Sequence, residues 1–487
     1  MRGDQAGRAV SAPYRWYDPD RAGTSDADHD PMSSFLRIVL ATSALVACDH
    51  AGGAVGSDSA TNPDACTELS CMVPDCASKG LPMTSISGRV FAPNGTLPLH
   101  NVTVYVPLSA PGPVPSGLQC DRCTDELPGG SLTQTATDEA GRFTLMNVPA
   151  AVDIPVVIQV GKWRRQLVVP SVAACQDTIL PDATTRLPKD RTEGDIPKIA
   201  VTTGSADALE CLVRKLGISD TEFTTDAADG RVHLYAGNGT SSFASTFPTQ
   251  GAFPDARTLW NDVDKMRGYD IVVLSCEGAQ RPETKSQAAM QALHDYADAG
   301  GRVFMSHWHN IWLGGESNHP AHGLPDWQSV VEFDFAAAQN EASQLAIVDE
   351  RGPRGVDFGT WLQNVGASTT RDQLTINEPR YTATRLKTPV KAQQWLYVDP
   401  ARSTPPGKRS VQDLLFTTPL DAPQDQRCGK VVFSDMHVSS GSTSSPTVPF
   451  PGTGINRNGC ATTDLTPQEK ALAFMLFDIS SCVGPIL

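Results

Sequence analysis

The sequence predicts a chain of several domains, in which a small antiparallel β-sandwich precedes an α/β domain with a parallel sheet. Between residues 84 and 187, apolar and polar residues alternate with a period of two. Between residues 196 and 482, short continuous apolar runs alternate with helix-like segments. The length of 487 residues allows about two to four domains, each with its own core.

The composition excludes several classes of protein. Charged residues make up 19% and hydrophobic residues 40% of the chain, which argues against a disordered polyelectrolyte and a multi-span membrane protein. The net charge is −15 without a compensating basic cluster, so we expect no nucleic-acid partner. The twelve cysteines favour an oxidising compartment.

The N-terminal region predicts an export signal. Residues 1–31 are a polar extension, and residues 32–47 combine one basic residue with an apolar run too short to span a bilayer. The run ends in Leu-Val-Ala-Cys, which resembles the bacterial lipobox. The resemblance implies cleavage before Cys48, lipid on that cysteine, and a membrane-anchored protein of the outer membrane or cell surface. An ordinary signal peptide that happens to contain a cysteine is the alternative.

Residues 48–83 have the composition of a tether, with much Gly, Ser, Asp, Asn and Pro. Three cysteines lie in this segment, and they lack the paired spacing of a zinc site. We therefore expect a small disulfide knot built from Cys66, Cys71 and Cys76.

Residues 84–187 predict the β-sandwich, because short strands of period two are separated by turn sequences such as Asp-Glu-Ala-Gly. The predicted strands cover residues 86–91, 102–106, 133–137, 142–145, 154–160 and 165–169. The order of these strands, the Thr-Asp-x-x-Gly-x-Phe turn and the following Val-Pro resemble the carboxypeptidase regulatory-like, or transthyretin-like, domain. That resemblance implies a module for stability or recognition without catalysis.

A CxxC pair, Cys120 and Cys123, lies within the sandwich sequence. As a redox pair it should begin a helix, but here Pro and Gly flank it in a loop between strands. The sequence favours a role in stapling this loop, with Cys175 as a candidate partner.

The second half of the chain predicts parallel strands covered by helices on both faces. The strands cover residues 198–204, 232–235, 269–274, 302–306 and 429–434, and the helices 207–216, 256–267 and 284–299. A capping box, Thr466 to Glu469, begins the last helix. Ligands of such sheets bind at the carboxyl ends of the strands.

Three segments of this half resemble class I glutamine amidotransferase-like domains, and above all their ThuA-like branch. They are Tyr269–Gly278, Gly300–His307 and Gly429–His437. The resemblance implies a flavodoxin-like fold over residues 196–482 with an insertion at about 312–390. His307 stands where the amidotransferases carry their nucleophilic Cys, so we expect no glutaminase activity.

His307 and His309 form a His-x-His pair at the end of a predicted strand. If the chain stays extended, both imidazoles lie on one side and could bind zinc, with Glu277 as a base for hydrolysis. The candidates for a third ligand are His437, Asp435, His319 and His322. Alternatively, the histidines hydrogen-bond to one another and to the backbone, while Trp308 and Trp312 pack against the insertion. No complete metal motif is present, and zinc is the one cofactor candidate.

Two further expectations concern cysteines. Cys276 ends a buried strand, which favours a packed free thiol over a nucleophile paired with His437. Cys428 and Cys460 bracket a loop rich in Ser, Thr, Gly and Pro, and are candidates for a disulfide that staples it.

The sequence therefore leaves two functions open. The first is a non-enzymatic binding module, whose strand-end cleft would hold a glycan or peptide with Trp308, Asn310 and Trp312. The second is a metal-assisted hydrolase with His307, His309 and His437 at its centre. The eightfold repeat of a barrel enzyme such as the tryptophan synthase α subunit is absent, and we do not expect that fold.

Overall fold

The computed structural model of the protein describes residues 69–319, 322–336, 343–377, 379–402, 409–437, 448–452, 460 and 464–486. The predicted extension 1–31, the signal 32–47, Cys48, Cys66 and most of the tether lie outside the described residues.

Nineteen strands and eight α-helices are found among these residues. The strands are β1 (Ser85–Arg89), β2 (Thr103–Pro107), β3 (Ser131–Ala136), β4 (Arg142–Met146), β5 (Val152–Val160), β6 (Trp163–Ser171), β7 (Asp177–Ile179), β8 (Ile199–Thr202), β9 (Phe223–Thr224), β10 (Val232–Tyr235), β11 (Ile271–Leu274), β12 (Arg302–Ser306), β13 (Val331–Phe333), β14 (Gln344–Val348), β15 (Gln373–Ile376), β16 (Ala383–Leu386), β17 (Gln393–Val398), β18 (Ser410–Thr418) and β19 (Gly429–Ser434). The helices are α1 (Leu209–Lys215), α2 (Arg257–Trp260), α3 (Val263–Arg267), α4 (Gln287–Asp298), α5 (Ile311–Gly314), α6 (Pro325–Gln328), α7 (Pro353–Asn364) and α8 (Pro467–Ser480).

The first seven strands form two sheets, with the orders β4-β1-β7 and β3-β2-β5-β6. Every pair in them is antiparallel except β1 and β7, which run parallel, so the expected purely antiparallel arrangement is wrong at that edge. Inward-facing residues such as Ile86, Val104 and Phe143 are buried between the sheets.

The remaining strands form a ten-stranded mixed sheet, apart from a separate pair, β13 and β16. Its order is β15-β14-β17-β18-β19-β12-β11-β8-β10-β9. The six strands from β19 to β9 are parallel. The other four, β15, β14, β17 and β18, pair antiparallel.

The expectation of a parallel sheet therefore holds for six of the ten strands and is wrong for the rest. The four antiparallel strands come from the region expected as an insertion and from the chain that follows it. Because β18 pairs with β19 over six residues, these four strands continue the sheet and cover an edge that would otherwise present unpaired backbone groups.

Helix ends agree with the local sequence signals. Thr466 accepts a hydrogen bond from the backbone N–H of Glu469 and completes the predicted capping box of α8. The helix expected over 256–267 is divided into α2 and α3, because Asp262 caps a new helix by accepting from Lys265 N–H. Among the described residues, no helix has the length and apolar character needed to cross a membrane.

The β-sandwich and the large sheet share one continuous hydrophobic core. A single cluster of buried residues joins Ile86 and Val104 of the sandwich to Leu212 and Phe477 of the α/β part. At the β5–β6 turn, Gly161 has a φ of +53°, and an added Cβ would lie 1.9 Å from the carbonyl oxygen of Ser480. Only glycine permits so close an approach of the two parts.

Disulfides also join the two parts. Cys120 is bonded to Cys428 and Cys123 to Cys482, so both cysteines of the CxxC pair reach from the sandwich loop to the α/β part. The other two described pairings are Cys76–Cys175 and Cys211–Cys460, and Cys71 also belongs to a disulfide.

Three expected disulfide arrangements are therefore wrong. Cys76 is bonded to Cys175 and does not belong to a knot with Cys66 and Cys71. Cys175 does not staple the CxxC loop, and Cys428 is not bonded to Cys460, because each of these cysteines lies beside a different partner. The sequence reasoning missed Cys211 and Cys482, which lie in or next to helices and have no distinctive spacing. Cys276 is free and buried, as expected.

Peptide mapping of the unreduced protein tests these pairings. We expect cross-linked peptides for Cys120–Cys428 and Cys123–Cys482, and alkylation of Cys276 only after unfolding, since its side chain is fully buried. A reduced sample is the control and should contain no cross-linked peptide. Detection of a Cys428–Cys460 peptide would contradict the arrangement described above.

Candidate functional site

The candidate site lies at the carboxyl ends of three neighbouring parallel strands. β12 pairs with β11 on one side and with β19 on the other. Cys276 follows β11 by two residues, His307 follows β12 directly, and His437 follows β19 by three residues. Strand order therefore brings together side chains that are far apart in the sequence.

His307 occupies the turn between β12 and a short 3-10 helix, His307–Asn310. Its φ is +37°, an uncommon backbone conformation for a residue with a side chain. Such strain costs about 1–3 kcal/mol and is often retained at functional sites. The imidazole is 1% exposed and lies with its Nε2 atom 4.0 Å from Oδ1 of Asp435.

Cys276, His307 and His437 form one buried cluster, which we call the strand-end cluster. The Sγ atom of Cys276 lies 3.6 Å from Nδ1 of His307. One ligand atom from each of the three residues lies within 4.8 Å of the other two. In the described part of the chain, this is the single group of three or more His, Cys, Asp or Glu residues with metal-ligand spacing.

Cys276 is a protonated thiol in this environment. Burial raises its pKa to about 12, although backbone hydrogen bonds from Trp308 and Gly278 act in the opposite direction. The sulfur therefore needs a cation or a proton acceptor beside it before it can act as a thiolate.

His437 has one nitrogen for which the described residues provide no hydrogen-bond partner. Arg380 lies with Nη2 3.4 Å from Nδ1 of His437, and a guanidinium can only donate. The Nε2 atom is buried and has no hydrogen-bond partner among the described residues. Burial, with Arg380 nearby, lowers the pKa of His437 to about 3, so the ring is neutral at pH 7.

Buried carboxyl groups lie around the cluster. Oδ1 of Asp435 accepts from the Thr382 hydroxyl and Oδ2 accepts from Ala383 N–H, yet burial raises the pKa of Asp435 to about 6. Burial, with Asp435 nearby, raises the pKa of Asp413 on β18 to about 7. Displaced pKa values in one place are typical of functional sites.

His309 does not belong to the cluster, so the expected His-x-His pair of ligands is wrong. The chain turns into a 3-10 helix at His307 instead of staying extended, and the two imidazoles diverge. Nε2 of His309 lies 2.9 Å from the Ser275 carbonyl, and Nδ1 accepts from Trp312 Nε1 at 2.9 Å. Both nitrogens are therefore used inside the protein.

Glu277 is held in a buried ion pair with Lys285, whose ammonium also lies over the Trp260 ring at 4.9 Å. The carboxylate is therefore engaged away from the strand-end cluster. Oδ1 of Asp435 lies 4.0 Å from Nε2 of His307, but Asp435 does not belong to the group of three residues with metal-ligand spacing. Its two carboxylate oxygens accept hydrogen bonds from Thr382 and Ala383.

The three residues expected to bind a glycan or peptide differ in exposure. Trp312 is 2% exposed and donates to His309, and Asn310 is fully buried and accepts from Gln280 Nε2. Trp308 is half-buried and packs beside the His307 ring.

The two loop histidines lie elsewhere. His319 is exposed, and Nε2 of His322 contacts the carbonyl oxygen of Lys285. Neither belongs to the group with metal-ligand spacing.

Sequence reasoning missed the contribution of Cys276 as a ligand candidate, although it identified the residue as a free buried thiol. Its place at a strand end beside the strand of His307 was the available signal. Arg380, Thr382 and Asp413 were missed because they lie in or after the insertion, and the local sequence pattern does not indicate which strands of the sheet that part of the chain joins.

Comparisons with known proteins give little further information. No family model matches the chain, and no curated protein matches it. A cytoplasmic protein of Salmonella typhimurium has a similar structure, with 12% identity, 58% of this chain and 99% of the other covered, and a TM-score of 0.31. A ThuA-like protein of Bacteroides uniformis has 11% identity, covers 57% and 90%, and has a TM-score of 0.28. These scores are too low to carry an argument about function.

The pH dependence of stability tests the buried state of Asp413. The pKa of Asp413 in the folded protein is about 7, which lies above the usual value of about 4. Because folding favours the protonated carboxyl group, that group adds to stability below pH 4, and this contribution is lost as the pH rises through 7. The side-chain amide introduced by Asp413→Asn cannot ionise. We therefore expect the free energy of unfolding of this variant, compared with that of the native protein, to rise by about 1–3 kcal/mol as the pH increases from 5 to 8.

Urea unfolding of the metal-free protein at several pH values measures this difference. Asp264→Asn, a change at an exposed carboxylate, is the control. The free energy of unfolding of this control should differ from that of the native protein by the same amount at every pH. A constant difference for Asp413→Asn across this range would show that Asp413 is ionised in the folded protein.

Proposed function

We propose that the strand-end cluster binds a zinc ion and that the protein is a metal-assisted hydrolase. The observation that carries this proposal is the convergence of one thiol and two imidazoles, all buried, with one ligand atom of each within 4.8 Å of the others. Because Nδ1 of His437 faces the donating Arg380 guanidinium, Nε2 carries the proton, and zinc binding at Nε2 would require Arg380 to move away and the proton to shift to Nδ1.

The donor set fits zinc. Sulfur and imidazole nitrogen are the ligands that zinc prefers, and three protein ligands leave a fourth position for water, as in catalytic sites. Zinc bonds of about 2.0–2.3 Å require ligand atoms roughly 3.3–3.8 Å apart. The Cys276–His307 distance of 3.6 Å already meets this requirement. The ligand atom of His437 lies within 4.8 Å of the other two, so a movement of at most about 1 Å would bring it to the same spacing.

Charge supports the same proposal. Asp435 and Asp413 are buried carboxyl groups with raised pKa values. A divalent cation beside them would favour their ionised forms. Asp435, with its Oδ1 atom 4.0 Å from Nε2 of His307, could then orient that ring and hold a proton.

When bound, zinc would supply a water molecule of lowered pKa as the nucleophile. The protein's own contribution is to present the three ligands on rigid strand ends, to exclude bulk water and to hold protons at Asp435. Cys276 must lose its proton on binding, so zinc affinity should rise with pH.

The binding-module hypothesis has less support in this cleft. A glycan platform needs an exposed aromatic face, but Trp312 is buried and Asn310 is engaged inside the protein. Trp308 alone of the three keeps partial exposure.

A cysteine hydrolase is a second candidate, favoured by one observation. Cys276, His307 and Asp435 lie in series, with an S···N distance of 3.6 Å and an N···O distance of 4.0 Å. This order matches a nucleophile, a base and an orienting acid. The raised pKa of Cys276 weakens this candidate relative to zinc.

We also propose that the protein works in the bacterial cell envelope, anchored through lipid on Cys48. Four disulfides with named partners among the described residues support an oxidising compartment. The regulatory-like identity of residues 84–187 and a glycan or peptide partner remain predictions.

Elemental analysis of the purified protein tests the zinc site. We expect about one zinc per chain, lost in Cys276→Ala and in His437→Ala because each removes one of three ligands. His319→Ala, which changes an exposed histidine outside the cluster, is the matched control and should keep its zinc.

Hydrolysis of 4-nitrophenyl acetate separates the two candidates. Zinc chemistry requires that a chelator abolish activity and that added zinc restore it. Activity that survives the chelator and is lost in Cys276→Ser would support the cysteine mechanism.

In the elemental analysis, absence of zinc from the native protein, or its retention in both Cys276→Ala and His437→Ala, would overturn the metal site.

The anchor is tested by expression in a bacterial host and mass spectrometry of the mature N-terminus. Cleavage before Cys48 with the mass of attached acyl chains is expected, and Cys48→Ser should abolish the lipid. A mature protein without lipid on Cys48 would contradict the proposal.

A further inference from the structure

A groove of about 700 Å³ lies on the antiparallel side of the large sheet, away from the strand-end cluster. We call it the arginine groove and define it by Asp349, Arg351, Val390, Gln393, Tyr397 and Arg409. Its volume is within the range of about 300–1,000 Å³ that small-molecule sites occupy. We propose that this groove binds an acidic saccharide.

Three arginines line the groove. They are Arg351, Arg354 and Arg409, and the lining carboxylates are Asp349 and Asp399. Each of the three is paired with a carboxylate, Arg351 with Asp349, Arg409 with Asp399 and Arg354 with Asp478, so the groove gathers guanidinium groups without a net positive charge. A carboxylate on the ligand would share the exposed guanidinium groups with the carboxylates already paired to them, which the five N–H donors of an arginine permit.

Two of these arginines are available for a ligand. Arg351 uses Nε and Nη2 for Asp349, and 79% of its side chain is exposed. Arg409 lies 3.3 Å from Asp399 and its side chain is 60% exposed. Arg354, by contrast, is paired with buried Asp478 and packs over Trp395, so it is a structural part of the wall. A carboxylate could bind between Arg351 and Arg409.

Polar side chains on the wall suit hydroxyl groups. The Oε1 atom of Gln393 is buried and has no hydrogen-bond partner among the described residues. The amide of Gln394 donates to Asp349 at 3.2 Å, and Gln394 also lines the groove. A few polar side chains on the wall of a pocket fix the orientation of a ligand, and amide groups can bind hydroxyls.

The rest of the wall is apolar. Val390 is 51% exposed and lies with Leu386, Ala392, Ile486 and the Tyr397 ring around the groove. An aromatic ring and aliphatic side chains can pack against the C–H face of a sugar ring. A carboxylate, several hydroxyls and an apolar face occur together in a uronic-acid sugar, which is why we infer this class of ligand.

Calorimetry with two matched trisaccharides tests the inference. We expect trigalacturonate to bind the native full-length protein and uncharged α-1,4-galactotriose to bind at least about tenfold more weakly, because it has the same sugar configuration but lacks carboxylates for the arginines. Affinity for trigalacturonate should fall as salt is raised, since the arginines are exposed and screened.

Substitutions locate the site. Arg351→Ala and Arg409→Ala should each weaken binding of trigalacturonate by about tenfold or more. Both side chains are largely exposed, so folding should be unaffected. Arg385→Ala is the matched control, because Arg385 is 70% exposed and also paired with a carboxylate, but lies outside the groove. Cys276→Ala should bind as the native protein does, which separates this inference from the zinc proposal.

Three results would overturn the inference. They are failure of trigalacturonate to bind at millimolar concentration, equal affinity for the two trisaccharides, and unchanged affinity in the Arg351→Ala/Arg409→Ala double variant.

Discussion

The parallel pairing of β12 with β11 and β19 is the constraint on which the site depends. Parallel strands end at one edge of a sheet, so residues that follow them meet there whatever their separation in the sequence. Cys276, His307 and His437 follow these three strands and lie within ligand distance. The left-handed turn at His307 adds the second requirement, because it ends the strand and starts a 3-10 helix that carries His309 away.

Three parts of the chain build and support the sheet that carries this edge: the parallel strands, the antiparallel strands that continue the sheet, and the β-sandwich. The insertion and the chain that follows it add four antiparallel strands to the sheet, of which β18 pairs with β19. The insertion also supplies Arg380, which lies beside His437, and Thr382, which donates to Asp435. The β-sandwich shares the hydrophobic core and is cross-linked to the sheet by the two cysteines of the CxxC pair. The strand ends are therefore held by packing and covalent bonds on several sides, as a precise site requires.

Much of the fold could be predicted because its signals are local. The parallel strands, the capping box at Thr466 and the sandwich strands follow from periodicity and end signals within a few residues. The antiparallel half of the large sheet was not predicted, since which edge a strand joins depends on distant partners. The site was predicted in part for the same reason: His307 and His437 mark strand ends, but whether His309 joins them depends on the backbone turn.

The sequence by itself determined the order of the elements, the oxidised character of the chain, the strand ends where chemistry could occur and the absence of a thiol at the position of His307. The tertiary structure alone decided which cysteines form disulfides. It also decided that Cys276, and not His309, lies at ligand distance from His307 and His437, and that the arginine groove forms elsewhere on the sheet. Local patterns depend on neighbours along the chain, whereas disulfides, ligand sets and grooves depend on distances across the fold, which only the packing of the whole chain sets.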